Sequence, residues 1–272
     1  MANLDRRATL FPRSKPAANR NLSKRSFTEI ASHDKRSGKL RRLVPVRGLF
    51  KKAVEDPWKR YNRIFEYDQA GPGTLVHINN DSFEEFVVRS KAVNNKDCLE
   101  AIKECSHKNV VRLQEALYDN GNIFFIYEVM EVSLAHIFVT PLGRLKPYEV
   151  ATFCADIMHG LDYLHNSLQL VHGEVNAENV LLSTNGAIKL ANIGSSMLRE
   201  PGQRSTQDDT WGVGKLILMC LEPGTFLKNC EDLEEDWNSD LIAFHKLTKI
   251  KPQDAMTMAI RCDLVETPSL VV

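Results

Sequence analysis

The chain has 272 residues, 43% of them hydrophobic and 26% charged, with 35 basic and 35 acidic side chains. That balance suits one globular domain with room for a tail. No run approaches the roughly 18 apolar residues of a membrane helix, and the start MANLDRRATLFPRSKP lacks the apolar core of a signal peptide. Six scattered cysteines (Cys98, Cys105, Cys154, Cys220, Cys230, Cys262) form no C-x-x-C pair and no zinc spacing. They read as reduced thiols in an intracellular protein of the cytoplasm or nucleus, with no membrane contact.

The charge is unevenly placed. Residues 1–60 carry 17 basic and 5 acidic side chains, and the remainder carries 18 and 30. From Met1 to about Pro57 the chain is rich in Lys, Arg, Ser, Asn and Pro, and it buries too little apolar surface to offset its ordering entropy. Residues 1–60 are therefore expected to form a basic, disordered tail. Its clusters Lys24-Arg25 and Lys39-Leu40-Arg41-Arg42 suit nuclear import, nucleic acid or another acidic surface. No aromatics interleave with these charges, so a solvated tail that folds back on the acidic body stands beside that reading. The acid-poor start also fits a mitochondrial presequence, against which Asp5 and the long continuation count.

Ordered pattern begins near Tyr61. Strands are expected over Arg63–Tyr67 and Thr74–Asn79, joined by Asp68-Gln69-Ala70-Gly71-Pro72-Gly73. A third strand, Phe86–Lys91, places Val87, Arg89 and Lys91 on one face by alternation. A helix is expected over Asp97–Cys105. A hairpin comes next, with Ala116–Tyr118 and Ile123–Met130 around the turn Asp119-Asn120-Gly121-Asn122. Val150, Phe153, Cys154, Ile157, Leu161 and Leu164 recur at helical spacing and predict a helix over Tyr148–His165. A polar run then carries His172, Glu174, Asn176 and Asn179. It enters a second hairpin, VLL and IKLA around Thr184-Asn185-Gly186, a strong short-range turn signal. An apolar run from Leu216 to Leu221 marks a buried helix. Beyond Pro223-Gly224 come an acidic loop (Glu231–Asp236), Trp237 and expected helices over Ser239–Thr248 and Gln253–Arg261.

Five of these stretches share a resemblance. His172-Gly173-Glu174-Val175-Asn176-Ala177-Glu178-Asn179 resembles H-R-D-x-x-x-x-N, and Asn192-Ile193-Gly194 resembles D-F-G. Gly160-Leu161-Asp162-Tyr163-Leu164-His165 resembles G-L-x-Y-L-H, and Asp209-Thr210-Trp211-Gly212-Val213-Gly214 resembles D-x-W-x-x-G. His107-Lys108-Asn109-Val110-Val111-Arg112-Leu113 resembles H-P-N-I-V-x-L. On these residues the chain resembles the eukaryotic protein kinases over Tyr61–Arg261, most specifically over Gly160–Leu221. The resemblance implies an α+β, two-lobed fold, with a small, mostly β N-lobe (about 61–130) and a mainly helical C-lobe (about 131–263). A C-terminal tail (264–272) comes last. The C-lobe reads as abbreviated, because the A-P-E element is missing and the segment from Gly194 to Asp209 is short.

The family's roles transfer with altered chemistry. Gly71 and Gly73 stand in the glycine-rich loop, where Pro72 removes an amide donor. Arg89 stands at the ATP-anchoring lysine, with Lys91 one step along, and Cys98 stands where that lysine's glutamate partner belongs. Tyr127 gates the back of the nucleotide pocket, and Glu128 lies in the hinge. Glu174 holds the catalytic aspartate's position with one extra methylene, and Asn176 replaces the catalytic-loop lysine. Asn179 keeps the second-metal ligand, whereas Asn192 puts a neutral amide where a carboxylate binds metal. His172, Gly194 and Asp209 are structural. Gly173 replaces an arginine that reads a phosphate, so Ser195, Ser196, Ser205 and Thr206 are expected to be ordinary loop residues. The resemblance implies ATP and Mg2+ as ligands, and the substitutions predict that both bind weakly. The expectation is a pseudokinase that serves as a signalling scaffold for a protein partner. Two alternatives stand beside it: a low-activity serine/threonine kinase using Glu174, Asn179, Lys91 and Asn192, and an adaptor tethered to nucleic acid by its tail.

Overall fold

The computed structural model describes residues 50–80, 83–139, 145–200, 202–234 and 237–261. Residues 1–49 of the expected basic tail and the C-terminal tail 264–272 lie outside the described residues. The strands are β1 (Lys51–Val54), β2 (Tyr61–Asp68), β3 (Pro72–Ile78), β4 (Glu85–Ala92), β5 (Cys105–His107), β6 (Val110–Asp119), β7 (Asn122–Tyr127), β8 (Val132–Ser133), β9 (Val180–Leu182) and β10 (Ile188–Leu190). They form one sheet in the order β2-β3-β4-β7-β6-β10-β9-β8, with β1 and β5 also paired to β6. The helices are α1 (Leu134–Phe138), α2 (Pro147–Asp162), α3 (Ile193–Met197), α4 (Thr206–Leu221), α5 (Pro223–Leu227), α6 (Ser239–Ile250) and α7 (Pro252–Arg261). Strands dominate the first half and helices the second, as the α+β expectation requires.

Two expectations need correction. The ordered body starts at Lys51, not near Tyr61, because β1 runs parallel to β6 and pairs Lys51 with Glu115 through Val54 with Tyr118. The reason is apolar burial that a Lys-rich segment does not advertise. Tyr61, Val76, Val88, Leu117 and Ile126 form a cluster on one sheet face, and Ala53 and Trp58 pack against it. Trp58 meets Phe124 edge-on at 6.0 Å. Arg60 then grips the nearly buried Glu115 with two hydrogen bonds, at 2.7 and 2.8 Å.

The expected helix over Asp97–Cys105 is instead a 3-10 turn, Lys96–Ala101, with β5 after it. The Asn95 side chain caps the turn by accepting from the Asp97 N–H at 3.0 Å. Its apolar anchors, Leu99 and Ile102, are buried and three residues apart, a spacing that a 3-10 turn serves as well as an α-helix. Cys98 consequently sits on no long helix that faces Arg89.

The helical half obeys its periodicity. Pro147 opens α2, and the Glu149 carboxylate accepts from the Lys146 N–H at 2.8 Å. Val150, Phe153, Cys154, Ile157, Met158 and Leu161 are among its buried residues. The helix widens into a π turn over Tyr163–Ser167. A capping box opens α4: the Ser205 side chain accepts from the Asp208 N–H, and the Asp208 carboxylate accepts from the Ser205 N–H. Most of α4 from Asp209 onward is buried, so it serves as the central post against which α2, α6 and α7 pack.

Candidate active-site cleft

The polar loop 171–179 is held by two buried groups. Asp209, at the start of α4, is fully buried; its Oδ2 accepts from the His172 N–H and its Oδ1 from the Gly173 N–H, at 2.8 and 2.5 Å. His165 Nε2 lies 2.8 Å from the same carboxylate. His172 is equally buried, with Nε2 2.8 Å from the Ala191 carbonyl and Nδ1 3.3 Å from the Glu174 N–H. Donation from Nε2 and acceptance at Nδ1 describe a neutral imidazole. Burial holds its pKa below the ordinary histidine value, against the pull of Asp209. These bonds tie the loop to α4 on one side and to the end of β10 on the other.

The side chains that the loop offers are already engaged. Asn176 accepts from the N–H groups of Glu178 and Asn179, both at 3.0 Å, and so closes its own turn. The buried Asn179 donates its amide to the Glu174 carbonyl at 2.8 Å. Arg199 makes an ion pair with Glu174, Nη2 to Oε1 at 3.0 Å. Its Nη1 and the Ser196 hydroxyl both donate to the His172 carbonyl, at 2.6 and 2.7 Å. Gly173 has φ +76°, and a Cβ there would collide with the Arg199 guanidinium. The glycine therefore admits the arginine that neutralises Glu174. Asn192 is left-handed, at φ 66° and ψ 20°, and immediately precedes the short helix α3. Ser195 and Ser196 lie within α3, where Ser196 is buried, Ser205 caps α4 and Thr206 begins it, so all four expected loop residues belong to or bracket helices.

On the sheet side, Arg89 in β4 pairs with Phe125 in β7, and Val87 with Tyr127. The Arg89 guanidinium lies under the β2–β3 turn: a Cβ on Gly71, which has φ +104°, would be 2.8 Å from Nη2. Arg89 Nη1 is buried without a hydrogen-bond partner. Burial pulls the pKa of this group down, while Tyr127, Asp68 and Glu174 pull it up. A Cβ on Gly73 would meet the Arg89 side chain and Val87, each at 3.1 Å. Lys91 reaches the Ser195 carbonyl at 3.4 Å. The Tyr127 hydroxyl is buried, and burial raises its pKa; it accepts from the Gly194 N–H at 3.0 Å. Glu128 turns its carboxylate to Lys189 (2.6 Å) and to the Arg112 N–H (2.8 Å). Its carbonyl accepts from Gln69 Nε2 at 2.8 Å, and the Met130 N–H donates to Gln69 Oε1 at 2.7 Å.

The structure thus brings Lys91, Glu174, Asn192, Ser195 and Arg199 into one polar recess of about 420 Å³. Asn176 stays in its own turn, and Gly71 and Gly73 lie over Arg89. Hard divalent cations favour carboxylate oxygens, yet Asn179 and Asn192 are neutral and the Glu174 carboxylate is paired. Among the described residues, no group of three or more His, Cys, Asp and Glu could hold a metal ion. The recess thus presents two carboxylates, that of Glu174, paired with Arg199, and that of Glu200. Two residues of the cleft were missed in the sequence, Gln69 and Arg199. Both act through contacts distant along the chain, and a glycine at position 173 is the one local sign of the second.

The protein kinase domain family model matches residues 85–212, from β4 into α4. The chain is similar to cyclin-dependent kinase F-3 of Oryza sativa subsp. japonica, at 28% identity over 145 residues, covering 50% of this chain and 33% of that protein. It is similar to serine/threonine-protein kinase Tao of Drosophila melanogaster, at 24% over 184 residues, 64% of this chain and 17% of that protein. Cyclin-dependent kinase 7 of Xenopus laevis is 33% identical over 103 residues, 37% of this chain and 29% of that protein. The chain therefore spans about a third or less of the length of these relatives. No helix among the described residues is long and apolar enough to cross a membrane.

Proposed function

Since this chain carries a eukaryotic protein-kinase-like domain, we propose that it is a pseudokinase: a scaffold that engages a protein partner and binds ATP weakly or not at all. The observation that carries this reading is the ion pair between Arg199 and Glu174. Phosphoryl transfer depends on positioning and on neutralising the phosphates, with a carboxylate orienting the attacking hydroxyl. Here the carboxylate in that position already faces a cation of its own chain. Asn192 and Asn179 add no negative charge for a metal, and Arg89 fills the space below the β2–β3 turn. Misplacing a single reacting group can cost on the order of a hundredfold, and several are altered here together.

A low-activity serine/threonine kinase is the second reading, favoured by the polar recess that Lys91, Glu174, Asn192 and Ser195 still line. The test is phosphate transfer from Mg-ATP to a generic protein substrate and to the chain itself. The pseudokinase reading expects no transfer by the wild type and no change in Glu174→Ala. Robust magnesium-dependent transfer that Glu174→Ala abolishes would overturn it. The basic charge of residues 1–60 supports an additional contact with an acidic partner surface or nucleic acid.

A further inference from the structure

One side chain satisfies both backbone groups of the segment between β7 and β8 that lie opposite the β2–β3 turn. Gln69 Nε2 donates to the Glu128 carbonyl at 2.8 Å, and Gln69 Oε1 accepts from the Met130 N–H at 2.7 Å. Gln69 is only 3% exposed. A carboxamide is an uncharged group that presents a donor and an acceptor side by side in one plane. A carbonyl and an N–H two residues apart therefore form a recognition edge for a planar donor–acceptor pair. Adenine offers the same pair in its exocyclic amine and the adjacent ring nitrogen. Gln69 meets the edge as such a base would.

The turn is built to deliver this side chain. Ala70 takes φ +57° and Gly71 φ +104°. Alanine has no polar side chain to ease a left-handed conformation, which costs roughly 1–2 kcal/mol, so other contacts must hold it there. The two Gln69 bonds do so, and the Tyr67 hydroxyl adds a third by donating to the Met130 carbonyl at 2.8 Å. Ala70 is itself buried, at 6% exposure. Under the same turn lies the Arg89 guanidinium, 2.8 Å from where a Cβ on Gly71 would stand.

We propose that Gln69 is a built-in stand-in for a nucleobase: it occupies a latent purine-binding edge at Glu128 and Met130 and keeps the cleft closed to purines. The proposal rests on the non-catalytic reading of the cleft and names what fills its base subsite. The experiment is thermal unfolding of the full chain with and without millimolar free adenine, for wild type, Gln69→Ala and Gln69→Asn. Wild type is expected to ignore adenine. Gln69→Ala should melt lower and regain about 2–4 °C with adenine, as a ligand specific to the folded state requires. Unsubstituted purine lacks the amine and should restore less. Gln69→Asn, one methylene shorter, should give a smaller response of the same sign. If Gln69→Ala does not fold alone, the readout is soluble folded chain after refolding with and without adenine, and rescue supports the proposal. A wild type that adenine stabilises as strongly as Gln69→Ala would overturn it. So would a folded Gln69→Ala that adenine leaves unchanged, or a lack of refolding rescue together with an unresponsive Gln69→Asn. Adenine carries no phosphate and reads the base edge alone; phosphate transfer by the wild type would sink the non-catalytic reading and leave this result standing.

Discussion

Replacing Asp209 with alanine tests whether loop 171–179 is kept for architecture. The carboxylate is fully buried and receives two backbone N–H groups, from His172 at 2.8 Å and Gly173 at 2.5 Å, with His165 Nε2 at 2.8 Å. Alanine strips the acceptor from both amides. A hydrogen bond to a charged group contributes about 1.5–3 kcal/mol, and a buried donor left unpaired costs about 1–3 kcal/mol. Removing a buried charge gives back part of its desolvation cost, so the net loss should be about 3 kcal/mol rather than the full sum. Against a typical stability of roughly 5–15 kcal/mol, that is about a fifth to three fifths of the total. His165→Phe is the control: it removes one partner and leaves both amide bonds, so its loss should be near 1 kcal/mol, as about one hydrogen bond is worth. Urea unfolding midpoints supply the free energies, and amide hydrogen exchange at His172 and Gly173 locates the damage. A loss below about 1 kcal/mol with both amides still protected would show that Asp209 does not hold the loop.

Acid should destabilise the fold. His172 and His245 are buried and held below the ordinary imidazole value by desolvation. The unfolded chain binds these protons first as pH falls, so stability is complete above about 6.5 and declines below it. Urea midpoints at neutral and mildly acidic pH should record that decline, and His245→Phe, which removes a ring nitrogen without a partner, should flatten part of it. Tyr127→Phe should cost about 1–3 kcal/mol, because the Gly194 N–H loses its acceptor; an unchanged melting temperature would contradict that. Asn192→Asp alone should leave melting indifferent to Mg-ATP, since Gln69 still occupies the edge at Glu128 and Met130. Combined with Gln69→Ala, it should gain a magnesium-dependent rise of about 2–4 °C, and a response from Asn192→Asp alone would refute the occupied-cleft reasoning.

The parts of the fold that were legible in the sequence are those set by local chemistry. Asn120-Gly121 takes φ +44° and +78°, the backbone a two-residue hairpin demands, and joins β6 to β7 with Asp119 opposite Asn122. The 3.6-residue repeat of α2 is equally local, whereas the Ser205–Asp208 box of α4 lies where the sequence was read as loop. β1 was not legible, because its stabilisation comes from Glu115 and the Trp58-covered cluster, far along the chain. The 96–107 region misled for a related reason. Leu99 and Ile102 suit a helix or a 3-10 turn alike. Leu113 in β6, the strand partner of Cys105, draws the chain into β5 instead of a longer helix.

The cleft divides along the same line. The spacing of His172, Asn179 and Asp209 is legible because it serves backbone groups, and those bonds survive changes of neighbouring side chain. The contents of the cleft are not legible from spacing. Gly173 on its own reads as the loss of a cation. The structure shows that Arg199 inserts its guanidinium where a side chain at 173 would stand, bonds the His172 carbonyl at 2.6 Å and pairs with Glu174. The ion pair itself adds little stability, because Glu174 is about half exposed and such pairs are worth at most about 1 kcal/mol. Its consequence is positional. A cation supplied from Arg199 approaches the carboxylate directly, and it does so only while residue 173 has no side chain and keeps a positive φ. Glycine at 173 and arginine at 199 therefore act as one change, which replaces an open carboxylate with a closed pair.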